Sequence, residues 1–412
     1  MDGQNKLWVL SEVFYPEQVA TAYIMTEIVE AIAGSREVNV ICGPVLYEKR
    51  SSKSMDKTFS PNIHIHRINS VNLDKNKLVF RTIKMLFLTF SMSFSLLRRS
   101  RKGDDVFIVT NPAFLLLVTG YIARLKKLKL YILVHDVFPE NVVAAGVFKS
   151  RSIMVRLLKK LFNRGYNKAD LLIVLGRDMK EVIEKKISMF NKKSKIEIIE
   201  NWADVINIKP SDKKDNAIVK ELDLAEKIVF QFAGNLGRVQ GLQDLFSVIK
   251  EINNPLLFFI IMGEGAIKGE LEELIKINKL RNIKILPSIS RNEQHEFLNA
   301  SDVGIVSLTD NMLGLGVPSK SYNIMAAGKP ILFIGNLNSE IALTVNQYGN
   351  GWVFENNDRN RLIDFFNSIT PDSVNDFKDK GYKSRKLAEN KFSKTDILNK
   401  FKEVLLKRNH LN

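Results

Sequence analysis

Residues 255–265 read PLLFFIIMGEG. Six consecutive apolar residues, Leu256 to Ile261, leave no polar position for a solvent-facing side. A strand with that pattern is buried on both faces, which is the condition of a parallel sheet covered by helices. The Gly-Glu-Gly that follows and the amphipathic stretch after it complete a strand–turn–helix unit. Working outward, the same alternation recurs. In the first half, strands are expected at 6–12, 37–43, 63–68, 104–112, 130–136, 169–176 and 195–201. In the second half they are expected at 227–237, 255–265, 282–288, 302–308 and 329–336. Between the halves, INIKPSDKKDNA (206–217) is polar and contains a proline, which marks a linker.

The expected architecture is therefore α/β, with two doubly wound parallel-sheet domains. The first spans 1–208 and the second 209–390. Residues 391–412 form a last helix that packs back on the first domain. Ligands of such sheets sit at the carboxyl ends of the strands, and two such domains would face each other across a cleft. The single cysteine, Cys42, excludes an internal disulfide and suits a reducing cytoplasm. The start MDGQNKLWVLSE lacks the basic-then-apolar pattern of a signal peptide. His64, His66, His135, His295 and His410 are scattered, so no metal site is expected.

The net charge is +16, with 61 Lys+Arg against 45 Asp+Glu. Residues 1–210 hold 34 Lys+Arg against 20 Asp+Glu, a net of +14; the remainder hold 27 against 25, a net of +2. The excess clusters in LLRRSRK (96–102), ARLKKLK (123–129) and VRLLKKLFNR (155–164), each beside apolar residues. An anionic surface fits this pattern. Nucleic acid does not, because no aromatic interleaving or known module accompanies the charge. In KMLFLTFSMSFSLLRRSRK (84–102), the uncharged run Met85–Leu97 spans about 20 Å as a helix, against about 30 Å of hydrocarbon. It is too short to cross a bilayer. The readings left are a core helix and a helix lying in the membrane interface with a basic end, and the second is favoured.

Three helix mouths carry the candidate chemistry. FAGNLGRVQGLQDLF (232–246) is a strand, a Gly-rich turn and a helix, with Gly234, Asn235, Gly237 and Arg238 in the turn. IMGEGAIKGELEEL (261–274) is a second such turn, with Gly263 and Gly265. GVPSKSYNIMAAG (316–328) is the third, opened by Pro318, Ser319 and Lys320. Glycines admit a ligand close to the backbone, helix starts offer N–H groups to phosphate, and two of the turns add a cation. The set reads as a diphosphate cradle.

At this point the chain resembles the family-4 glycosyltransferases of the GT-B fold, with two Rossmann-like domains. The closest branch builds bacterial O-antigen, colanic acid and capsule, and includes fucosamine transferases. The resemblance runs through EVFYPEQVATAYIMTEIVEAIA (12–33), LVHDVFPENVVAAGVF (133–148), ENWAD (200–204), FAGNLGRVQGL, MGEG and PSKSYNIMAAGKPIL, in the family's order. It implies transfer, with retention, of a sugar from a nucleotide diphosphate sugar, here a UDP-linked N-acetylamino sugar. The implied acceptor is a polyprenyl-diphosphate-linked saccharide at the inner face of the plasma membrane. No metal or cofactor is implied. The donor would meet Gly234, Asn235, Gly237, Arg238, Gly263, Gly265, Pro287, Ser319, Lys320 and Asn323. The acceptor would meet Glu17, Ala20, Thr21, Asn111 and Glu140. His135 and Asp136 would shape the reacting sugar, while Arg238 and Lys320 take the leaving-group charge.

The chain departs from the family in three places. Leu315 and Asn323 stand where relatives carry two glutamates, the second of which grips the ribose. Gln240 stands where many carry a phosphate-binding lysine. A neutral amide at 323 can still donate and accept. These departures leave open a catalytically impaired partner subunit; a GT-B nucleotide-sugar epimerase is a further alternative.

Overall fold

The computed structural model describes residues 5–45, 57–69, 78–148, 151–191 and 193–406. His410 and the ends of the chain lie outside them. The chain forms two compact units, Met1–Glu200 with Ile397–Asn412, and Asn201–Asp396.

The first unit holds β1 (Leu7–Ser11), β2 (Val38–Cys42), β3 (Ile63–Arg67), β4 (Asp105–Val109), β5 (Lys129–Val134), β6 (Leu171–Val174) and β7 (Lys195–Ile198). They lie in the order β3-β2-β1-β4-β5-β6-β7, and every pair is parallel. β1 and β2 are buried at every position, as an apolar strand covered on both faces must be. β7 lies at an edge and exposes Lys195 and Glu197 instead. Strand order reverses between β1 and β4, which opens a crevice at their carboxyl ends.

The C-terminal helix Lys394–Leu406 completes this unit. Ile397, Phe401 and Leu405 recur every four residues, so they share one face, and all three are buried. The Phe401 ring lies 6.5 Å from Phe107 of β4. Arg36 ties the same region together, donating to Asp105 Oδ2 (2.7 Å), Asn5 O (2.8 Å) and Lys6 O (2.9 Å).

The second unit holds β8 (Ile228–Ala233), β9 (Leu257–Met262), β10 (Ile283–Leu286), β11 (Val303–Ser307), β12 (Ile331–Ile334) and β13 (Gly351–Phe354). The order is β10-β9-β8-β11-β12-β13, again wholly parallel, with the reversal between β8 and β11. Aromatic side chains fill one face: Phe366 meets Phe230 and Phe259 edge-on at 5.1 and 5.2 Å. β13 has no counterpart in the sequence reading. It is a four-residue edge strand that opens on glycine and follows the helix Glu340–Tyr348.

The division between units falls after Glu200, where the sequence places it at 208. Hydrogen bonds explain the difference. Ala203 N–H donates to Phe392 O at 2.7 Å, and the Arg385 guanidinium donates to Val205 O and Ile208 O. Residues 203–208 are thereby fastened to the second unit rather than strung between the two.

Phe401→Ala should lower the unfolding free energy of the first unit by about 3–5 kcal/mol, the usual cost of deleting a buried phenyl ring. The transition of the second unit should stay in place. Denaturant melts followed by unit-specific hydrogen exchange check this, and an equal loss in both units would refute the assignment of the helix.

Candidate functional site

In the first unit, the carboxyl ends of β1, β4 and β5 converge at the strand-order reversal. The helix Ala20–Ala33 starts there with no side-chain cap, and Thr21 is in its first turn. Thr21 Oγ1 lies 3.4 Å from His135 Nδ1. Just past β4, Thr110 Oγ1 accepts from the backbone N–H groups of both His135 (3.1 Å) and Asp136 (3.2 Å). Asn111 O accepts from Glu12 N at 3.0 Å, tying the β4 end to the β1 end. Ala20, Thr21, Asn111, His135 and Asp136 are thus brought to one place.

The electrostatics of this group follow from burial. Desolvation pushes His135 down to about 4, so its imidazole is neutral at physiological pH. Its Nε2 is buried without a hydrogen-bond partner among the described residues. Desolvation also pushes Asp136 up to about 6. Buried polar atoms ordinarily find partners, so an orphaned ring nitrogen leaves room for one more hydrogen bond here. Glu17 is buried close by in sequence, at the mouth of the first helix. Glu140 is held elsewhere: its Oε2 accepts from the buried Lys186 at 2.6 Å, and Lys159 lies 4.0 Å from Oε1. That pairing fixes the short helix Glu140–Ala144.

In the second unit, Gly234 and Asn235 are exposed at the end of β8 and Arg238 is exposed on the following 3-10 turn. Arg238 forms no ion pair among the described residues. Gly237 is buried beside Asn235. Gly263 and Gly265 have a structural reason beyond any ligand. A Cβ on Gly263 would stand 1.9 Å from Gly234 O, and one on Gly265 would stand 2.2 Å from Leu236 O. The two turns therefore lie backbone against backbone, joined by Gly234 N→Met262 O and Leu236 N→Glu264 O, both 2.9 Å. Pro287 is exposed at the end of β10.

Lys320 opens the helix Lys320–Ala326, which follows β11 and so reaches the reversal between β8 and β11. Its Nζ sits 3.4 Å from the centroid of the Phe232 ring, under Gly234, and 3.5 Å from Gln240 Oε1. No described carboxylate pairs with it. Desolvation brings its pKa down to about 7. An amine on an aromatic face with no described carboxylate beside it is a group whose charged form an anion would stabilise. Ser319 makes no capping bond, and the helix behind it has only seven residues. The lysine side chain, more than the helix start, carries the charge.

Asn323 is one turn further along the same helix and is buried. Its amide is engaged within the protein: Oδ1 accepts from Asp204 N at 3.3 Å, and Nδ2 donates to Gln294 Oε1 at 3.1 Å. Gln294 was not singled out from the sequence. It is 29 positions away, and only the fold brings it to Asn323.

These two sheets, each with its strand-order reversal and its polar residues at the strand ends, match proteins of known structure. HepE of Anabaena, solved in complex with UDP, superposes with a TM-score of 0.70 at 14% identity, covering 97% of this chain and 99% of HepE. The fold is GT-B. In sequence, WbjE of Pseudomonas aeruginosa, provisionally named as a glycosyltransferase, is 34% identical over 362 residues, which is 87% of this chain and 88% of WbjE. WcaI of Escherichia coli, provisionally named as a colanic acid biosynthesis glycosyl transferase, is 25% identical over 236 residues, 56% of this chain and 57% of WcaI. The family model of glycosyl transferases group 1 matches residues 213–387. The chain belongs to the group 1 glycosyl transferases.

Lys320 should titrate near 7 when followed by NMR of labelled lysine, far below the ~10.4 of ordinary lysines. Lys320→Met should remove that titration. The folded-state pKa is lowered, so burying the charge opposes folding fully below about 7. That opposition is relieved as pH rises toward the unfolded value. Lys320→Met should therefore stabilise most at acid pH and least at alkaline pH. The reverse trend in thermal melts would refute the burial.

Proposed function

We propose that the chain transfers a sugar, with retention, from a nucleotide diphosphate sugar to a lipid-linked saccharide in surface polysaccharide synthesis. The observation that carries this reading is Lys320, a cation without a counter-anion at the crevice of the second unit. During transfer, the bond between the anomeric carbon and the β-phosphate breaks and negative charge grows on the diphosphate. Lys320 and Arg238 are the groups we assign to that charge, with Gly234, Asn235 and Gly237 admitting the phosphates and no metal required. Gly263, Gly265, Pro287 and Ser319 line the donor's path. His135 and Asp136 shape the sugar, and Ala20, Thr21, Asn111 and Glu17 belong to the acceptor side; Glu140, paired with Lys186, supports that side through its short helix. A UDP-linked N-acetylamino sugar is the donor class we favour. The UDP complex of HepE supports a nucleotide diphosphate, and the name of WcaI supports a polysaccharide product.

The acceptor we propose is polyprenyl-diphosphate-linked, which calls for a membrane contact at the cytoplasmic face. No helix among the described residues is long and apolar enough to cross a membrane. A lateral contact is supported by the helix Leu78–Arg99. Ile83, Phe87, Phe90 and Phe94 form one exposed stripe, with Phe90 and Phe94 each 63% exposed, ending at Arg98 and Arg99. The neighbouring helices Leu115–Lys126 and Ile153–Tyr166 expose Tyr121, Leu125, Ile153, Leu157 and Leu161 among basic residues. Exposed aromatics beside cations suit an anionic bilayer surface.

Arg238→Ala and Lys320→Ala should each cut turnover by about a hundredfold or more, as loss of a transition-state donor does. Lys276→Ala should change it little. Normal turnover in both cradle variants would displace the diphosphate from this site. Absence of any donor hydrolysis or transfer by the wild type would favour the impaired-subunit reading.

Binding to anionic vesicles should weaken as screening shortens from about 10 Å at 0.1 M salt to about 3 Å at 1 M. A Phe90→Ser, Phe94→Ser double variant should lose binding even at low salt. Equal sedimentation of wild type and variant with the vesicles would refute the contact.

A further inference from the structure

Asn323, the residue the donor reading sets at the nucleotide's ribose, already gives one oxygen lone pair and one N–H of its amide to the protein. Its carbonyl takes the backbone N–H of Asp204 at 3.3 Å, and one of its N–H groups goes to Gln294 Oε1 at 3.1 Å. The second of these bonds has a directional consequence. An amide whose oxygen is held by one neighbour must turn its NH2 group the other way. Gln294 is half-buried at the start of the helix Gln294–Asn299, past the end of β10. Its NH2 group makes no hydrogen bond with any described residue. Gln294 therefore presents two N–H donors at the carboxyl-end side of the second sheet, where the donor reading puts the nucleotide.

We propose that Gln294 is the ribose-contacting residue of the donor site and that Asn323 is the residue that positions it. The inference rests on the donor reading above. Gln294 Nε2 would donate to a ribose hydroxyl oxygen. Asn323 Oδ1 keeps one lone pair and can accept from a hydroxyl hydrogen. Asp204 anchors the chain of bonds through its backbone, so the geometry does not depend on the Asp204 side chain. Neutral amides fill the whole relay. Recognition of the ribose by this pair is consequently uncharged, and its contribution is that of ordinary hydrogen bonds, which are worth less than bonds to a carboxylate.

The experiment compares a ribonucleotide with its 2′-deoxy counterpart, since a residue that reads the hydroxyl distinguishes them and a purely structural residue does not. Calorimetry measures UDP, 2′-deoxy-UDP, GDP and 2′-deoxy-GDP on wild type, Gln294→Leu, Gln294→Glu and Asn323→Leu. Wild type should prefer the ribo form of the nucleotide it binds best by about threefold to tenfold, the range of one net hydrogen bond. Gln294→Leu should bind ribo and deoxy forms alike. Asn323→Leu should lose most of the preference while keeping its melting temperature close to that of the Gln294 variants. If Gln294→Leu does not fold, Gln294→Glu carries the test: its carboxylate would accept from the ribose hydroxyl where the amide donates, so the ribo preference should move away from the wild-type ratio, and an unchanged ratio overturns the proposal. A wild type with no ribo preference, or variants that keep the wild-type ratio, overturn the proposal while leaving the donor reading intact. A wild type that binds none of the four nucleotides overturns both.

Discussion

The carbonyl oxygen of Gly234 stands where any side chain on Gly263 would begin, and the second unit is built around that close approach. Two strand-to-helix turns lie backbone against backbone, which only glycine allows on the β9 side. At the place where strand order reverses, the turn after β8 is tied to the end of β11, the Ser307 hydroxyl donating to Gln240 O at 2.6 Å. Beside that turn the fold puts Lys320. Were the turns further apart, Lys320 would have water around its ammonium and little reason to wait for an anion. Packed as they are, they leave it the Phe232 ring and an amide oxygen.

The two units prepare opposite kinds of polar group. The first gathers a neutral imidazole and a carboxyl that resists ionisation, both set by burial and neither in an ion pair with a described residue. The second holds an amine, brought down to about 7 by burial, with no carboxylate beside it among the described residues. Groups of the first kind suit hydrogen bonds to uncharged hydroxyls, and a group of the second kind suits a phosphate. That contrast follows from desolvation acting on different residue types and needs no further device.

Most of the fold was legible because the strands are apolar without interruption. Runs such as LLFFII cannot be amphipathic helices of the usual length, and they mark strands covered on both faces. β13 escaped because Gly-Trp-Val-Phe is four residues long and starts on the residue least given to strands. Residues 206–217 read as linker from composition, and composition does not report that Arg385 holds the start of that stretch through Ile208 O. The site divides in the same way. Lys320, Arg238 and the glycines announce themselves through local pattern, although the pattern suggested a ligand as the reason for Gly263 and Gly265 where a neighbouring carbonyl is the nearer one. Glu140 looks from its helix-start position like an available carboxylate, and its tie to Lys186 depends on residues 46 positions apart. Gln294 carries no motif at all. Its place is set by two helices meeting, which a single sequence does not display.

The first unit takes both of its parts from opposite ends of the second: Met1–Glu200 comes before it and Ile397–Asn412 after it. A ribosome therefore releases the whole of the second unit before it releases Phe401 and Leu405. Until then, the surface around Phe107 that Phe401 will cover is open to water and to other chains. Domains generally fold as units during synthesis. For this protein that means the later-made unit can close while the earlier-made one is still waiting for its last helix, so the part of the chain made first keeps apolar surface uncovered the longest.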